Sequence, residues 1–326
     1  MGMLLRKCSI FEKIQDRPTN HAATLEIIRG KVLCIWYSGK YECSEDLVLM
    51  GSYYDLKENF WTKPRIVLQA DRPLGNPVLF RFGNELRLFY VKILRDWWDS
   101  SILLASRSLD AGLSWEEGVP LLNEVGVMVR NRPLVLRDNR ILLPAYDEKE
   151  LTPRYLILNE DYSEIKVFKL NLRYAIQPAV VELSGNELLL AFRNVKRGYL
   201  IFGMLRDVED PGNLRTFTCE NLFNPNSAIE LLKTKSGKFL LILNNSKVSR
   251  STLSIARSSN GVDWEPVYEI ERGMGEYSYP CAAQDERGYI HICYTFREGT
   301  PPSNDFRYHA YGAVIKHLLV HESLLI

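Results

Sequence analysis

Long hydrophobic runs are missing from this sequence of 326 residues, although 46% of the residues are hydrophobic. A helix that crosses a bilayer needs about 20 consecutive apolar residues, so we predict no membrane partner. Residues 1–8 do not contain the apolar segment that is typical of signal peptides. We therefore expect a cytoplasmic location.

An excess of charge of one sign is missing as well. The 41 basic and 40 acidic residues leave a formal net charge of +1. Proteins that bind nucleic acid usually carry a marked basic patch, because phosphate contacts supply much of the affinity. The sequence therefore predicts no nucleic-acid partner.

Closely spaced cysteine pairs are also absent. The six cysteines are scattered and none forms a C-x-x-C pair, so a structural zinc site is not expected. Unpaired thiols are typical of a reducing compartment. We predict neither a metal ion nor a cofactor.

One sequence pattern, however, occurs six times. A polar residue, often followed by Pro, precedes an apolar strand, a tight turn and a second apolar strand, as in the segment from Asn76 to Tyr90. The copies begin at residues 21, 76, 132, 177, 226 and 279. A period near 50 residues is typical of repeat arrays and propellers. Abundant β-branched and aromatic residues between Gly, Asn and Asp turns indicate strands.

The repeats predict an all-β protein, because no window shows a long helical period with capping residues. A single hairpin cannot bury both of its faces, so the units must pack against one another. A six-bladed β-propeller of four-stranded antiparallel blades meets this need and leaves few free strand edges. We predict one propeller over residues 1–326. A strand within residues 4–11 should complete the last blade, whose third strand should lie within 311–320.

The more polar third and fourth strands are predicted around a characteristic turn. Third strands are expected at 101–106 and 252–257, and outer strands within 57–75, 116–130 and 209–225. Residues 108–115 read S-x-D-x-G-x-x-W, a shortened form occurs at 258–264, and a degenerate one at 52–61. Asp110 should bond to the turn backbone, Gly112 should take a positive φ, and Trp115 should fill the blade edge. Such turns are informative about the fold rather than the chemistry.

These turns, together with phrases such as Ile176-Gln177-Pro178 and the segment 277–280, resemble the sialidase-like family of BNR-repeat, or Asp-box, proteins. The resemblance spans nearly the whole chain. It implies a six-bladed β-propeller and carbohydrate chemistry, in particular glycoside hydrolysis.

The resemblance also implies site residues. Sialidases use an arginine triad, an Asp acid/base in the first blade, and a Tyr nucleophile assisted by a Glu. The matching positions make Asp46, or Glu42 beside it, the acid/base, and Tyr279 or Tyr277 the tyrosine. Glu276 is the nearest carboxylate to them. His21 stands where a first-blade Arg would be, which departs from the family pattern.

Strand direction in a propeller brings the residues before each first strand, and those that end each second strand, to one rim. Polar residues at these points can surround a pocket. Clustered arginines form bidentate pairs with carboxylates and sulfates, so we expect an anionic carbohydrate partner such as a uronic or sialic acid. Trp97 or Trp98 could stack on a sugar face. The predicted substrate-binding residues are His21, Asn76, Trp98, Arg130, Arg132, Gln177, Arg193, Asn226, Tyr277 and Arg297.

Three functional hypotheses follow. The first is an exo-acting glycoside hydrolase on an anionic or deoxy sugar, for which Glu42 or Asp46 opposite Asp147 or Glu148 would supply two carboxylates. The second is a polysaccharide lyase in which His21 or Tyr279 removes a proton near an arginine-bound uronate. The third is a non-catalytic carbohydrate-binding propeller. The sugar, the linkage, the stereochemical outcome and the oligomeric state are left open.

Overall fold

A computed structural model describes residues 5–184 and 187–325 of the chain. The predicted Leu4 and the turn residues Gly185 and Asn186 lie outside this range. The described strands, numbered in chain order, form six antiparallel sheets. Strand β1 (Leu5–Ser9) belongs to the last of them. The first blade is formed by β2 (Thr19–Ile28), β3 (Lys31–Gly39), β4 (Val48–Asp55) and β5 (Arg65–Leu68).

The second and third blades follow in chain order. The second is formed by β6 (Leu74–Phe82), β7 (Glu85–Ile93), β8 (Ser101–Ser108) and β9 (Val119–Pro120). The third is formed by β10 (Val127–Val129), β11 (Leu134–Val135), β12 (Ile141–Asp147), β13 (Thr152–Leu158) and β14 (Ile165–Lys169). Strands β10 and β11 both pair with β12, so they are two parts of one interrupted first strand. This corrects the prediction that the third repeat begins at residue 132.

The remaining blades complete the ring. The fourth is formed by β15 (Ala175–Glu182), β16 (Leu188–Asn194), β17 (Gly198–Leu205) and β18 (Arg215–Asn224). The fifth is formed by β19 (Glu230–Lys233), β20 (Phe239–Leu243), β21 (Thr252–Ser258) and β22 (Glu265–Arg272). The sixth is formed by β23 (Glu276–Gln284), β24 (Tyr289–Arg297), β25 (Val314–His321) and β1, with Leu5 opposite Val320.

The all-β six-bladed propeller is therefore confirmed. The first described strand, β1, pairs with β25 in the sixth blade. Among the described residues, short 3-10 turns lie between strands at Trp98–Ser100, Pro211–Asn213 and Phe306–Tyr308, and a fourth, Glu322–Leu324, follows β25. None of the described helical segments is long and apolar enough to cross a membrane. Apolar side chains of adjacent blades pack together between the sheets, which buries the hydrophobic runs of the repeat.

The first strand of several blades has an irregular start that positions the site. Pairing shifts register near His21, Gly75, Ile176 and Ser278. Positive φ values occur at these starts and at that of the fifth blade: Ala22 (55°), Asn76 (43°), Gln177 (51°), Asn226 (64°) and Tyr279 (54°). This conformation is costly for a bulky residue, and such bulges re-aim side chains near active sites. In the first blade it falls on Ala22, which corrects the alignment of His21 with Asn76.

The turn over residues 108–115 has the predicted construction. The Asp110 carboxylate accepts bonds from the Ser114 amide at 2.9 Å and the Ser108 hydroxyl at 2.8 Å. Hydrogen bonds from the side chain and backbone of Ser114 lower the pKa of Asp110 to about 2. Gly112 has φ 89°, and a Cβ there would lie 2.4 Å from the Leu33 side chain. This turn therefore stabilises the fold between the first two blades.

Replacing Trp264 with Ala should destabilise the protein by about 3–5 kcal/mol, because a large buried side chain is lost from the core. Trp264 is 6% exposed, stacks on Phe202 at 5.4 Å, and donates from Nε1 to the Gly261 carbonyl at 3.0 Å. Urea unfolding measures the change. Trp115 is only partly buried, so Trp115→Ala is the matched control and should cost less. Equal losses in the two variants would contradict this account of the blade edges.

Candidate functional site

A cavity of about 90 Å³ lies on the rim where the irregular strand starts converge. Five blades contribute to its lining, which consists of Tyr37, Glu42, Asn76, Trp97, Trp98, Met128, Tyr146, Glu148, Ile176, Gln177, Arg193, Tyr279, Phe306 and His309. We call it the tyrosine cavity. It has room for a few water molecules but is smaller than the roughly 300–1,000 Å³ of typical ligand pockets.

A second cavity of about 430 Å³ adjoins the first, and Phe306 and His309 line both. The rings of these two residues stack at 4.7 Å, so they form the partition between the cavities. The adjoining cavity is also lined by Asn226, Arg250, Glu276 and Arg297, among others. The candidate site therefore comprises two adjoining cavities with Phe306 and His309 between them.

Tyr279 makes the polar and cation–π contacts around which the tyrosine cavity is arranged. Its hydroxyl oxygen accepts from Arg193 Nη1 at 2.9 Å and from Gln177 Nε2 at 3.4 Å. The guanidinium carbons of Arg130, Arg193 and Arg250 lie 5.1, 6.0 and 5.9 Å from the centre of its ring. Cations at this distance from an aromatic ring are attracted to it. A backbone-strained tyrosine is thus surrounded by three positive charges.

The three arginines differ in how their charges are balanced. Arg250 pairs with Glu276 at 3.0 Å. Burial alone would raise the pKa of Glu276, but the charge of Arg250 lowers it below the usual value. Arg130 (2% exposed) donates to the Pro280 carbonyl, and Arg193 (8% exposed) donates to the Asn226 side chain.

Neither Arg130 nor Arg193 has a carboxylate within salt-bridge distance among residues 5–184 and 187–325. In addition, the buried Nε of Arg130 has no hydrogen-bond partner in this part of the chain. Burying an unpaired charge costs several kcal/mol. Arg193 lines the tyrosine cavity, whereas Arg130 lies against the Tyr279 ring and lines neither cavity. The positive charge beside Tyr279 is therefore suited to an anion that enters the cavity.

Two carboxylates line the same cavity. Burial raises the pKa of Glu148 to about 7; the charges of Glu42 and Asp99 add to the rise, whereas Arg193 opposes it. Glu42 is 3% exposed and accepts a hydrogen bond from the Tyr37 hydroxyl. Burial, and then the Glu42 charge, raise the pKa of Tyr37 well above its usual value, so that phenol stays a donor. Glu148 is thus suited to carry a proton near neutral pH.

The other two predicted carboxylates are held elsewhere. Asp147 pairs with the buried Arg154 at 2.5 Å. Asp46 accepts from the Ser44 hydroxyl at 2.7 Å and lies 3.8 Å from Arg17. This corrects the expectation that Asp46 reaches the pocket, because its carboxylate is held by hydrogen bonding within its own loop.

Several predicted binding residues also lie outside the tyrosine cavity. Arg132 donates to the Leu25 and Ala282 carbonyls, at 3.1 and 2.8 Å, within the central channel. Tyr277 stacks on Phe296 at 5.1 Å inside the sixth blade. These two positions correct the expectation of a shared pocket, since the side chains pack against neighbouring strands instead.

The remaining predicted residues surround the site. Asn76, Trp98, Gln177 and Tyr279 line the tyrosine cavity, as does Arg193. Asn226 and Arg297 line the adjoining cavity instead, where Arg297 donates to the His309 carbonyl at 2.6 Å. His21 lies directly against Tyr279, with ring centres 4.2 Å apart. Burial, together with the charges of His309 and the arginines, lowers the pKa of His21 well below its usual value.

A family model described as the BNR repeat-like domain matches residues 30–292. The chain belongs to the BNR repeat-like family. No curated protein sequence matches it. This BNR repeat-like chain is similar to a solved protein of unknown function from Dyadobacter fermentans, with 12% identity and a TM-score of 0.78 over 97% of this chain and 99% of that one.

Two sialidase structures share the fold of this BNR repeat-like chain. A Hadza microbial sialidase has 15% identity and a TM-score of 0.75, with 98% of this chain and 69% of that chain covered. Trypanosoma rangeli sialidase, in complex with the inhibitor DANA, has 10% identity and a TM-score of 0.75, with 97% and 59% covered. This chain thus spans about three fifths of the Trypanosoma chain. At such identities the similarity shows the fold alone.

Sequence reasoning missed several residues of the BNR repeat-like site, chiefly Arg250, Phe306 and His309. All three lie in connections rather than in the repeated phrase. Arg250 follows the second strand of the fifth blade, as Glu42 does in the first. Extending the loop comparison to the fifth blade would have found it. His309 and Phe306 lie in the corresponding connection of the sixth blade, residues 298–313, so the same comparison would have pointed to that loop but not to these two side chains.

Proposed function

We propose that this BNR repeat-like propeller is a glycoside hydrolase that removes an anionic sugar from the end of a glycan. The proposal rests on Arg130 and Arg193, two buried guanidinium groups that face Tyr279 and pair with no described carboxylate. Guanidinium groups bind carboxylates in a bidentate manner. A sugar carboxylate would supply the missing counter-charge.

In this proposal Tyr279 is the nucleophile. Its hydroxyl proton passes through water to the solvent, and its oxygen attacks the anomeric carbon; this breaks the bond to the leaving glycosidic oxygen and forms a covalent glycosyl intermediate. Arg193, which donates to that oxygen at 2.9 Å, stabilises negative charge on it before the attack. The bulged backbone fixes the ring between the arginines.

Glu148 is the proposed acid and base. With a pKa of about 7 it can donate a proton to the leaving glycosidic oxygen, and its carboxylate can then activate the water that hydrolyses the intermediate. Glu42 orients Tyr37 and His309. Trp97 and Phe306, whose rings lie 6.0 Å apart, offer aromatic surface to a sugar face.

The size of the two cavities bears on where the substrate lies. At about 90 Å³ the tyrosine cavity suits the anionic group and the reacting centre, whereas the adjoining cavity of about 430 Å³ has room for more of the sugar. The proposal therefore requires the Phe306 side chain to move aside when substrate enters. The fold is in keeping with this chemistry, since structures named as sialidases share it.

A panel of oligosaccharides that end in sialic acid, a uronic acid, a deoxy sugar or a neutral sugar tests the proposal by mass detection. We expect release of an intact terminal anionic sugar with the addition of water. Arg193→Ala should reduce this release strongly, whereas the control Arg137→Ala, at a surface ion pair with Glu182, should not. An unsaturated product that absorbs in the ultraviolet would instead indicate a lyase. Binding without any release would indicate a carbohydrate-binding propeller.

A further inference from the structure

We propose that His21, Glu42 and His309 bind a divalent transition-metal ion beside the tyrosine cavity. This goes beyond the proposed hydrolase function and does not depend on it. The three side chains come from strand β2, the loop after β3 and the turn after β24, and one donor atom from each lies within 4.8 Å of the others. His21 is 1% and Glu42 3% exposed.

The distance between the two imidazoles is the first argument. Nε2 of His21 lies 3.4 Å from Nε2 of His309. Hydrogen bonds from N–H groups to oxygen are usually about 2.7–3.2 Å long, so this separation is long for direct contact. Two nitrogens that bind one zinc ion tetrahedrally, at about 2.0–2.1 Å each, are separated by about 3.4 Å. The observed distance thus suits an ion between the rings.

The outer nitrogens give the second argument. Nδ1 of His309 lies 3.1 Å from the Phe306 carbonyl and 3.4 Å from a Glu42 oxygen, both of which can only accept. Nδ1 therefore carries the proton, which the Phe306 carbonyl can accept, and Nε2 presents a lone pair to His21. A Glu42 oxygen that binds the ion would turn from Nδ1 of His309 toward the Nε2 side of the ring. Nδ1 of His21 lies 2.9 Å from the Thr295 hydroxyl. If it donates there, both Nε2 atoms present lone pairs, and a cation between them would relieve the repulsion.

Hydrogen bonds of this kind, from the non-ligating nitrogen to a carbonyl or hydroxyl, are what metal-binding histidines usually make. The alternative is that the Thr295 hydroxyl donates to His21. A proton on His21 Nε2 would then bridge the two rings in place of a metal. The two arrangements differ in a single tautomer, which makes the proposal testable.

The ligand chemistry favours a transition metal. Two imidazole nitrogens and one carboxylate oxygen are the protein ligands of many catalytic zinc sites, which leave a fourth position open. Glu42 and His309 both line the tyrosine cavity, so an open position would face it. The nearby arginines around Tyr279 disfavour a cation, and the Glu42 and Glu148 carboxylates offset them. The ion could therefore hold a water molecule or a substrate oxygen there.

Metal titration of the 326-residue chain, after chelator treatment and dialysis, tests the site without any substrate. Isothermal titration with Zn²⁺ and visible absorption with Co²⁺ are the measurements. We expect one ion bound per chain. The visible spectrum of bound Co²⁺ should be that of an ion with a low coordination number. Glu42→Gln and His309→Ala should each weaken the affinity by more than about tenfold, and Thr295→Val by about 10–100-fold through the lost orientation of His21.

His321→Ala is the matched control, because that half-buried histidine contacts Ser323 and Arg287 rather than the cluster. It should bind metal like the unaltered protein. The absence of stoichiometric binding, or binding that His309→Ala leaves unchanged, would overturn the proposal and leave a proton-bridged histidine pair. Because no glycan is used, this failure is distinct from a failure of the hydrolase proposal. Circular dichroism checks that each variant is folded.

Discussion

Replacement of Tyr279 by Phe should lower turnover by at least about 10³-fold while the fold is retained, because removing a nucleophile removes the covalent route. The change deletes one oxygen, to which Arg193 and Gln177 donate, and keeps the ring that packs on His21. The measurements are kcat with the oligosaccharide identified in the panel and the midpoint of urea unfolding.

Tyr277→Phe is the control for Tyr279→Phe. That side chain stacks on Phe296 inside the sheet and does not line the cavity, so its kcat should stay near that of the unaltered protein. Comparable losses in the two variants would point to damage to the blade rather than to the chemistry. Full activity of Tyr279→Phe would exclude the proposed nucleophile.

Replacement of Glu148 by Gln should lower turnover by about 10²–10⁴-fold, the range that general acid–base catalysis usually supplies. The substitution should also remove the alkaline limb from the pH profile of kcat. Partial burial raises the pKa of Glu148 to about 7; the Arg193 charge and the Tyr146 hydroxyl lower it, and the Glu42 and Asp99 charges raise it. A proton donor is active below its pKa, so kcat should fall as pH rises above about 7.

The pH profile of kcat between about 5 and 9 checks this sign. The unaltered protein should lose activity on the alkaline side, and Glu148→Gln should show a low rate without that limb. Glu150→Gln is the control, since that exposed carboxylate lies in the same turn outside the cavity. An unchanged alkaline limb in Glu148→Gln would assign the titration to another group.

The fold was largely predictable because the strands and turns of the repeat are specified by residues that are close together in the sequence. Alternating and continuous apolar runs specify strands, and Asp110 and Gly112 specify one turn within a few positions of each other. The closing strand Leu5–Ser9 was predictable because a strand before the first repeat needed a partner. The interrupted first strand of the third blade, by contrast, depends on how Val127–Val129 and Leu134–Val135 each pair with β12.

The site was predictable only where the repeat itself points to it. Asn76, Gln177 and Tyr279 occupy the same bulged position, so their convergence follows from the topology. Side-chain direction does not follow in this way. Arg132 begins a repeat like the others, yet its guanidinium donates to carbonyls within the channel, where Glu26 lies 3.5 Å away.

The proposed metal ligands show most clearly what the sequence could not predict. The prediction of no metal came from cysteine spacing, whereas His21 and His309 are 288 positions apart and meet only because the ring closes. No local spacing can indicate such a pair. For the same reason the balance of charge around Arg130, which depends on neighbours from distant blades, could be determined only in the folded protein.

The central claim is that Tyr279 forms a covalent bond with an anionic sugar, and covalent trapping tests it most directly. The protein is incubated with 2,3-difluorosialic acid and, separately, with a 2-fluoro-glucuronosyl fluoride, and is then analysed by intact and tryptic mass spectrometry. We predict one adduct per chain with at least one probe, on the peptide 273–287, with fragment ions that place it on Tyr279 rather than Tyr277. An adduct on any other residue, or turnover of the corresponding natural glycan with no adduct from either probe, would contradict the account.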